Sequence, residues 1–325
     1  MAARMGWTAV CVGLACGLAA VTQARSADYP AQPVRVLVPG PVGSGLDLDA
    51  RAIAQQMSEL LRQPLVIENR PAAAGVVAME MLAKAPPDGY TISIAGAGVL
   101  AANPYLYSKL PYDPERDFVP ISLAQVLPIA LGVRASLDVS SVQELIERAK
   151  AQPDQITFAS QGNGTFVHLA GELFKAVAGV PLKHVPYGAQ SPFPDLAGGH
   201  VDAMFTGIAP LFASVKAGKV KILAISAPQR VAVIADVPTF AEAGVPAYDA
   251  AAWNGVVAPR GTPAAIVSRL NAVAVKAVHH PDVKERMMKF GGVPAGSTPE
   301  EFAAFLTKER AKWGKLIREA GLRLD

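Results

Sequence analysis

Two glycine-rich segments pair backbone amides with short polar side chains, a combination suited to holding an anion. The first, residues 40–45, includes Gly43 and Ser44 and is followed by Asp47. The second, residues 160–165, offers three neutral donors, namely Ser160, Asn163 and Thr165. Amides at the start of a helix carry a partial positive charge, and neutral donors add hydrogen bonds without a full charge. This chemistry is that of a carboxylate or phosphate site.

Each segment is predicted to lie between a strand and a helix. A short β-branched run at residues 34–38 precedes the first segment, and apolar residues at helical spacing follow it from residue 47 to 61. Residues 156–159 predict a strand before the second segment, and residues 167–177 predict a helix after it. The sequence therefore predicts two strand–loop–helix units with their helix starts free to bind a ligand.

Two other interpretations of these glycines remain open. Gly40, Gly43 and Gly45 resemble a scrambled dinucleotide fingerprint, and Gly96 with Gly98 follows a third predicted strand. The first spacing is wrong for that motif. A proline at position 104 prevents a long helix after the second, so residues 96–103 are predicted as a loop. The glycines could also serve only the geometry of a turn.

Two residues in the first turns of these helices each have two interpretations. Asp47 stands four residues before Arg51, where it would favour the helix dipole, or it could hold a bridging water or a ligand ammonium group. His168 could cap or pack the second helix, or it could contact the ligand.

The sequence lacks the residue patterns of an enzyme. It contains no G-x-S-x-G, no H-E-x-x-H and no assignable acid–base pair, and its five histidines are scattered. We therefore expect no catalytic residues, no metal and no cofactor.

Residues 1–27 are typical of a cleavable secretory signal peptide. Arg4 precedes an apolar stretch from residue 10 to 20, and small residues follow it. Both cysteines, Cys11 and Cys16, lie in this segment, so the exported chain would contain no disulfide. The remaining chain has 28 basic and 27 acidic residues without a basic stripe, which argues against nucleic-acid binding. We expect a periplasmic protein.

Motifs along almost the whole exported chain resemble the periplasmic solute-binding receptors of tripartite tricarboxylate transporters, often called Bug proteins. The main ones are Glu68-Asn69-Arg70-Pro71, Ala85-Pro86-Pro87-Asp88-Gly89-Tyr90, Leu110-Pro111-Tyr112-Asp113-Pro114, Ser160-x-Gly162-x-Gly164-Thr165 with His168, Val185-Pro186-Tyr187 and Ala258-Pro259-x-Gly261-Thr262-Pro263. Each motif is weak by itself, but their order along the chain is specific to the family.

The resemblance implies an α/β fold, the type II periplasmic-binding-protein or Venus flytrap fold, with two α/β lobes joined by crossing strands. Residues 28–127 with 250–325 would form lobe 1, and residues 128–249 would form lobe 2. Such receptors close on a small carboxylate and deliver it to the large and small membrane subunits of a transporter. The expected ligand-binding residues are Gly43, Ser44, Asp47, Ser160, Asn163, Gly164, Thr165, Tyr187 and Thr206.

We further expect a monomer, because hinge closure needs no second subunit. Two rival classes stay open: a ligand-sensing binding protein that serves a sensor kinase, and a nucleotide-binding α/β enzyme. The first differs from a transport receptor only in its partner, which the sequence does not reveal.

Overall fold

A computed structural model describes residues 29–188 and 190–324 of the chain. The predicted signal peptide, residues 1–27, lies outside these residues. Within the described ranges, no helix combines the length and apolar character needed to cross a membrane.

The described chain alternates strands and helices around one ten-stranded sheet. The strands are β1 (Val34–Val38), β2 (Leu65–Asn69), β3 (Thr91–Gly96), β4 (Phe118–Arg134), β5 (Thr157–Ser160), β6 (Lys183–Pro186), β7 (Ala203–Gly207), β8 (Val220–Ile225), β9 (Ala251–Pro259) and β10 (Val293–Pro294). The helices are α1 (Gly45–Leu61), α2 (Val76–Ala83), α3 (Asn103–Leu106), α4 (Val142–Ala151), α5 (Phe166–Ala178), α6 (Phe193–Gly198), α7 (Phe212–Lys216), α8 (Ala264–Val278), α9 (Pro281–Lys289) and α10 (Pro299–Glu319). The predicted α/β fold is confirmed.

The long strand β4 joins two parts of the sheet because it changes partners in its middle. Residues 118–128 of β4 pair with β9, which also pairs with β3. From Ile129 onward β4 pairs with β7 and β8 instead. Strands β1, β2 and β3 are parallel to one another, as are β5, β6 and β7. This arrangement produces two βαβ units on one continuous strand.

The register directs the carboxyl ends of both groups of parallel strands, β1–β3 and β5–β7, toward the middle of β4, where β4 changes its pairing partners. At the end of β3, Gly96 is level with Asn254, which pairs with Gln125 of β4. At the end of β7, Gly207 pairs with Ile129. Ligands bind α/β sheets outside the carboxyl ends of their strands. The fold therefore directs both glycine-rich segments to a shared region around the centre of β4.

Two local predictions differ from the structure. Helix α1 begins at Gly45, two residues earlier than the apolar spacing indicated, because Ser44 caps it. The chain after β3, predicted as a loop, instead forms a π-helical turn, Gly98–Ala102, that continues into α3. The proline at position 104 lies in the first turn of α3, where its missing N–H costs nothing.

Helix α10 connects the two parts of the molecule through buried aromatic side chains. Its Trp313 is fully buried and makes an edge-to-face contact with Phe166 of α5, with the ring centroids 5.2 Å apart. The indole Nε1 atoms of Trp253 and Trp313 both donate to the buried Glu309, at 2.8 and 2.9 Å. Helix α10 therefore packs against strand β9 as well as against helix α5.

Candidate functional site

The first glycine-rich segment ends in a capped helix start at α1. Gly43, with a φ of +81°, donates its amide to the Asp47 carboxylate at 2.8 Å. The Ser44 hydroxyl accepts from the Asp47 amide at 3.3 Å, and the Ser44 carbonyl accepts from Leu48 at 2.9 Å. A left-handed glycine, a hydroxyl cap and a side-chain acceptor thus fix this turn.

The second segment repeats the same hydrogen-bond pattern at the start of α5. Gly164, with a φ of +72°, donates its amide to His168 Nδ1 at 3.0 Å. The Thr165 hydroxyl accepts from the His168 amide at 3.4 Å, and the Thr165 carbonyl accepts from Leu169 at 3.0 Å. Residues 43–47 and 164–168 are therefore equivalent helix starts, with a carboxylate in one and an imidazole in the other.

Four amides at these helix starts donate no hydrogen bond within the described residues, and they are the first two of each helix. They belong to Gly45, Leu46, Phe166 and Val167. Unpaired amides at a helix start form an anion site, because they donate directly and the helix dipole favours negative charge. Sequence reasoning named Gly43 and Gly164, but the amides of those two glycines are used inside the loops.

Asp47 is buried, with 1% of its surface exposed, and its carboxylate is saturated by donors. Besides the Gly43 amide it accepts from Arg51 Nε at 3.1 Å and from Asn69 Nδ2 at 2.9 Å. Burial alone would raise the pKa of Asp47, but the bonds from Arg51, Gly43 and Asn69 together hold that pKa below its usual value. These contacts favour the interpretation of Asp47 as the residue that braces the first loop.

The polar side chains of the second loop also bond mainly within the loop. Ser160 is fully buried, and its hydroxyl accepts from the Gly162 amide at 3.0 Å. The Thr165 hydroxyl donates to the Gly162 carbonyl at 2.7 Å. Asn163 and Gln161 have exposed side chains, so both stand open to a ligand.

Tyr187 and Thr206 lie at the carboxyl ends of β6 and β7. The Tyr187 hydroxyl donates to Asp195 at 2.5 Å, and burial together with Asp195 raises the pKa of Tyr187 to about 12. Thr206 is buried opposite Ala130 of β4. Thr206 therefore pairs with the second residue after the partner change in β4. The Tyr187 hydroxyl, in contrast, is engaged by Asp195 of α6.

A buried polar cluster beside the first loop was missed by sequence reasoning. Gln125 Nε2 and Asn254 Nδ2 both donate to Asp49 Oδ2, and the amide oxygens of Gln125 and Asn254 are buried and accept no hydrogen bond. Burial raises the pKa of Asp49 to about 6, although Gln125 and Arg286 oppose that rise. The sequence did contain one signal of this cluster: Asp49 is a charged residue beside Ala50 and Ile53 on the apolar face of α1.

No group of three or more histidine, cysteine and acidic side chains in residues 29–188 and 190–324 could hold a metal ion. The arrangement offers hydrogen-bond donors at two helix starts rather than a nucleophile or an acid–base pair. Its chemistry is that of reversible anion binding.

Comparison with known proteins identifies relatives along nearly the whole chain. Residues 49–322 match the family model described as the tripartite tricarboxylate transporter family receptor. A UPF0065 protein from the tcbD–tcbE intergenic region of Pseudomonas sp. strain P51 is 39% identical over 98% of this chain and 95% of its own. Protein BugT of Bordetella pertussis is 33% identical over 96% of this chain and 97% of its own.

Two solved structures from Rhodopseudomonas palustris share the fold. Rpa4515, with adipate, has a TM-score of 0.79 and 35% identity over 91% of this chain and all of that chain. MatC, with bound malate, has a TM-score of 0.75 and 33% identity over 89% of this chain and all of that chain. The fold is therefore that of periplasmic binding proteins, and the chain belongs to the receptor family of tripartite tricarboxylate transporters, a family of solute-binding proteins and not of enzymes.

Proposed function

We propose that this receptor captures a small dicarboxylate between its two lobes and delivers it to the large and small membrane subunits of a tripartite transporter. The observation that carries the proposal is the pair of equivalent helix starts, each with two unpaired amides and each following a strand whose carboxyl end points toward the centre of β4. The family membership and the adipate and malate of the two Rhodopseudomonas proteins support the choice of ligand class.

The charge balance of the loops favours an anion. The only carboxylate among the predicted ligand-binding residues, Asp47, is paired with Arg51 at 3.0 Å. The second loop contains neutral donors alone. A ligand carboxylate would therefore be attracted by the positive ends of two helix dipoles, and no unpaired negative charge of the two loops would repel it.

In this proposal, lobe 1 consists of residues 28–127 and 250–325, and lobe 2 consists of residues 128–249. The change of partner in β4, between Pro128 and Ile129, supports the first boundary, and the start of β9 at Ala251 supports the second. Closure would bend β4 and β9 and bring both helix starts onto one ligand. Gly43, Ser44 and Asp47 would form one wall, and Ser160, Asn163, Gly164, Thr165, Tyr187 and Thr206 the other.

We also propose that residues 1–27 direct export as a cleaved signal peptide and that the mature receptor is a monomer. N-terminal sequencing of protein from the periplasmic fraction would test the first statement. Sedimentation with and without ligand would test the second, since closure of a monomer leaves its mass unchanged.

Thermal unfolding of the refolded mature protein with adipate or malate tests the ligand class. A ligand at a hundred times its dissociation constant adds about 2.7 kcal/mol to the free energy of unfolding, which raises the melting temperature by several degrees. Refolding removes any solute carried through purification. If neither acid nor any other dicarboxylate of four to six carbons raises the melting temperature, the proposed ligand class is wrong.

The substitution Asn163→Asp tests the second loop. It keeps the shape of an exposed side chain and adds one negative charge beside the proposed carboxylate site. We expect at least a tenfold loss of dicarboxylate affinity, about 1.4 kcal/mol, from repulsion between like charges. Gln55→Glu adds the same charge to an exposed position in the middle of α1 and should leave the affinity unchanged. Equal effects of the two variants would place the binding site elsewhere.

A further inference from the structure

The imidazole of His168 can hold the second loop in only one of its own protonation states. Its Nδ1 atom accepts the Gly164 amide at 3.0 Å, so Nδ1 carries the lone pair and the ring proton is on Nε2. Nε2 lies 3.7 Å from the Glu172 carboxylate. A second proton on His168 would occupy Nδ1 and remove the acceptor that fixes Gly164.

A second histidine supports the same loop from a neighbouring strand. The His184 ring of β6 stacks on His168 with the centroids 3.9 Å apart. His184 Nε2 lies 2.7 Å from the Ser160 hydroxyl, which in turn accepts the Gly162 amide at 3.0 Å. The stacked pair therefore reaches the two glycine amides that bracket Asn163.

The groups around the pair favour two neutral rings. On α5, Lys175 bonds Glu172 at 2.9 Å and so balances the nearest carboxylate. Strands β5 and β7, which pack against α5, carry no titratable side chain, and β6 adds only the exposed Lys183. On α10, Glu309 and Lys312 pair with each other. Burial and then Lys175 lower the pKa of His168 to about 4, and burial with His168 lowers that of His184 to about 4.

We propose that His168 and His184 are positioning residues that act as an uncharged brace for the second ligand loop. His168 does for Gly164 what Asp47 does for Gly43, but without the negative charge that Arg51 neutralises in the first loop. The brace keeps the loop amides in place near neutral pH and weakens in acid before the Asp47 brace does, because the pKa of Asp47 is held below its usual value. The consequence for ligand binding rests on the proposed function; the effect on the loop does not.

The substitution His168→Asn separates the brace from simple packing. Asn Oδ1 is as many bonds from the backbone as His Nδ1 and can accept the Gly164 amide, but it does not titrate. His168→Leu introduces an apolar side chain of similar length that has no hydrogen-bond acceptor. We expect the Asn variant to keep the loop ordered and the Leu variant to lose that order.

Amide hydrogen exchange of the ligand-free protein, compared at pH 6 and pH 3.5, tests the brace directly. In the wild type, protection of the Gly164 amide, corrected for the intrinsic rate, should fall about fourfold as a group of pKa about 4 takes up its proton. The amides of Gly43 and Ser44, bonded to Asp47 and Pro41, serve as an internal reference that should lose less protection, because the pKa of Asp47 is held below its usual value. The Asn variant should lose the pH dependence, and the Leu variant should be unprotected at both pH values.

The proposal is overturned if the Asn variant keeps the wild-type pH dependence, or if 15N shifts of His168 show the proton on Nδ1. Adipate affinity gives a second measurement. The ratio of the wild-type dissociation constant to that of the Asn variant should rise about fourfold between pH 6 and pH 3.5, and protonation of adipate cancels in that ratio. A constant ratio overturns the link to binding. If adipate and malate bind neither protein at any pH, the proposed ligand is wrong, while hydrogen exchange still decides the brace.

Discussion

Replacing Asp49 with asparagine should stabilise this receptor at pH 8 and have little effect at pH 4. The carboxyl group of Asp49 has a pKa of about 6 in the folded protein, against an ordinary value of 3.8. Since the folded state raises this pKa, the associated stability is present below about pH 4 and is lost as the pH rises through about 6. The raised pKa of Asp49 therefore lowers the free energy of unfolding by about 3 kcal/mol at pH 8 and by less than about 1 kcal/mol at pH 4.

The hydrogen bonds around Asp49 support the same direction. An asparagine oxygen can accept from Gln125 and Asn254 as Asp49 does, and its NH2 group supplies the donor that the buried oxygens of those two amides lack. Arg286 would lose its attraction to the charge, so about 3 kcal/mol is the upper limit. This stabilisation would raise the melting temperature by roughly 6 °C at pH 8.

Urea unfolding of the wild type and the variant at each pH from 4 to 8 is the measurement. Comparing the two proteins at the same pH cancels the titration of all other groups. Asp47→Asn is the matched control: the pKa of Asp47 is held below its usual value, so the loss of its charge should destabilise the protein at pH 8. A variant at Asp49 that is no more stable than the wild type at pH 8, or an advantage that does not vary with pH, would refute the reasoning.

Two further pairs of substitutions test the core and the close contact of Gly75 with Pro39. Glu309→Ala removes the shared acceptor of two buried indoles and should cost about 3 kcal/mol in urea unfolding, whereas Glu309→Gln, which retains an acceptor, should cost much less. Gly75→Ala places a methyl group 2.6 Å from the Cβ of Pro39 at a φ of +86° and should cost about 2 kcal/mol. Gly98→Ala meets no atom within 4 Å and should be nearly neutral.

Local sequence patterns were sufficient for the strand–loop–helix units, although the apolar spacing alone placed the start of α1 two residues too late. Ser44, Thr165 and Thr298 each cap the helix that follows, because a hydroxyl at that position bonds an amide only three residues away. The same patterns placed the first loop between β1 and α1 but did not show that the amides of Gly43 and Gly164 are bonded inside the loops. Gly43 and Gly164 looked available because their bonds go to side chains four residues later, and no backbone pattern records such bonds.

The sequence by itself determined the α/β units, the capped helix starts and, through ordered motifs, the receptor family. These features depend on residues close together in the chain or on the order of short motifs. Only the tertiary structure decided which polar groups meet. His184 reaches Ser160 across 24 residues, and Asn254 reaches Asp49 across 205. Such contacts depend on strand order and register, which are set by how the whole chain buries its apolar faces and not by local spacing.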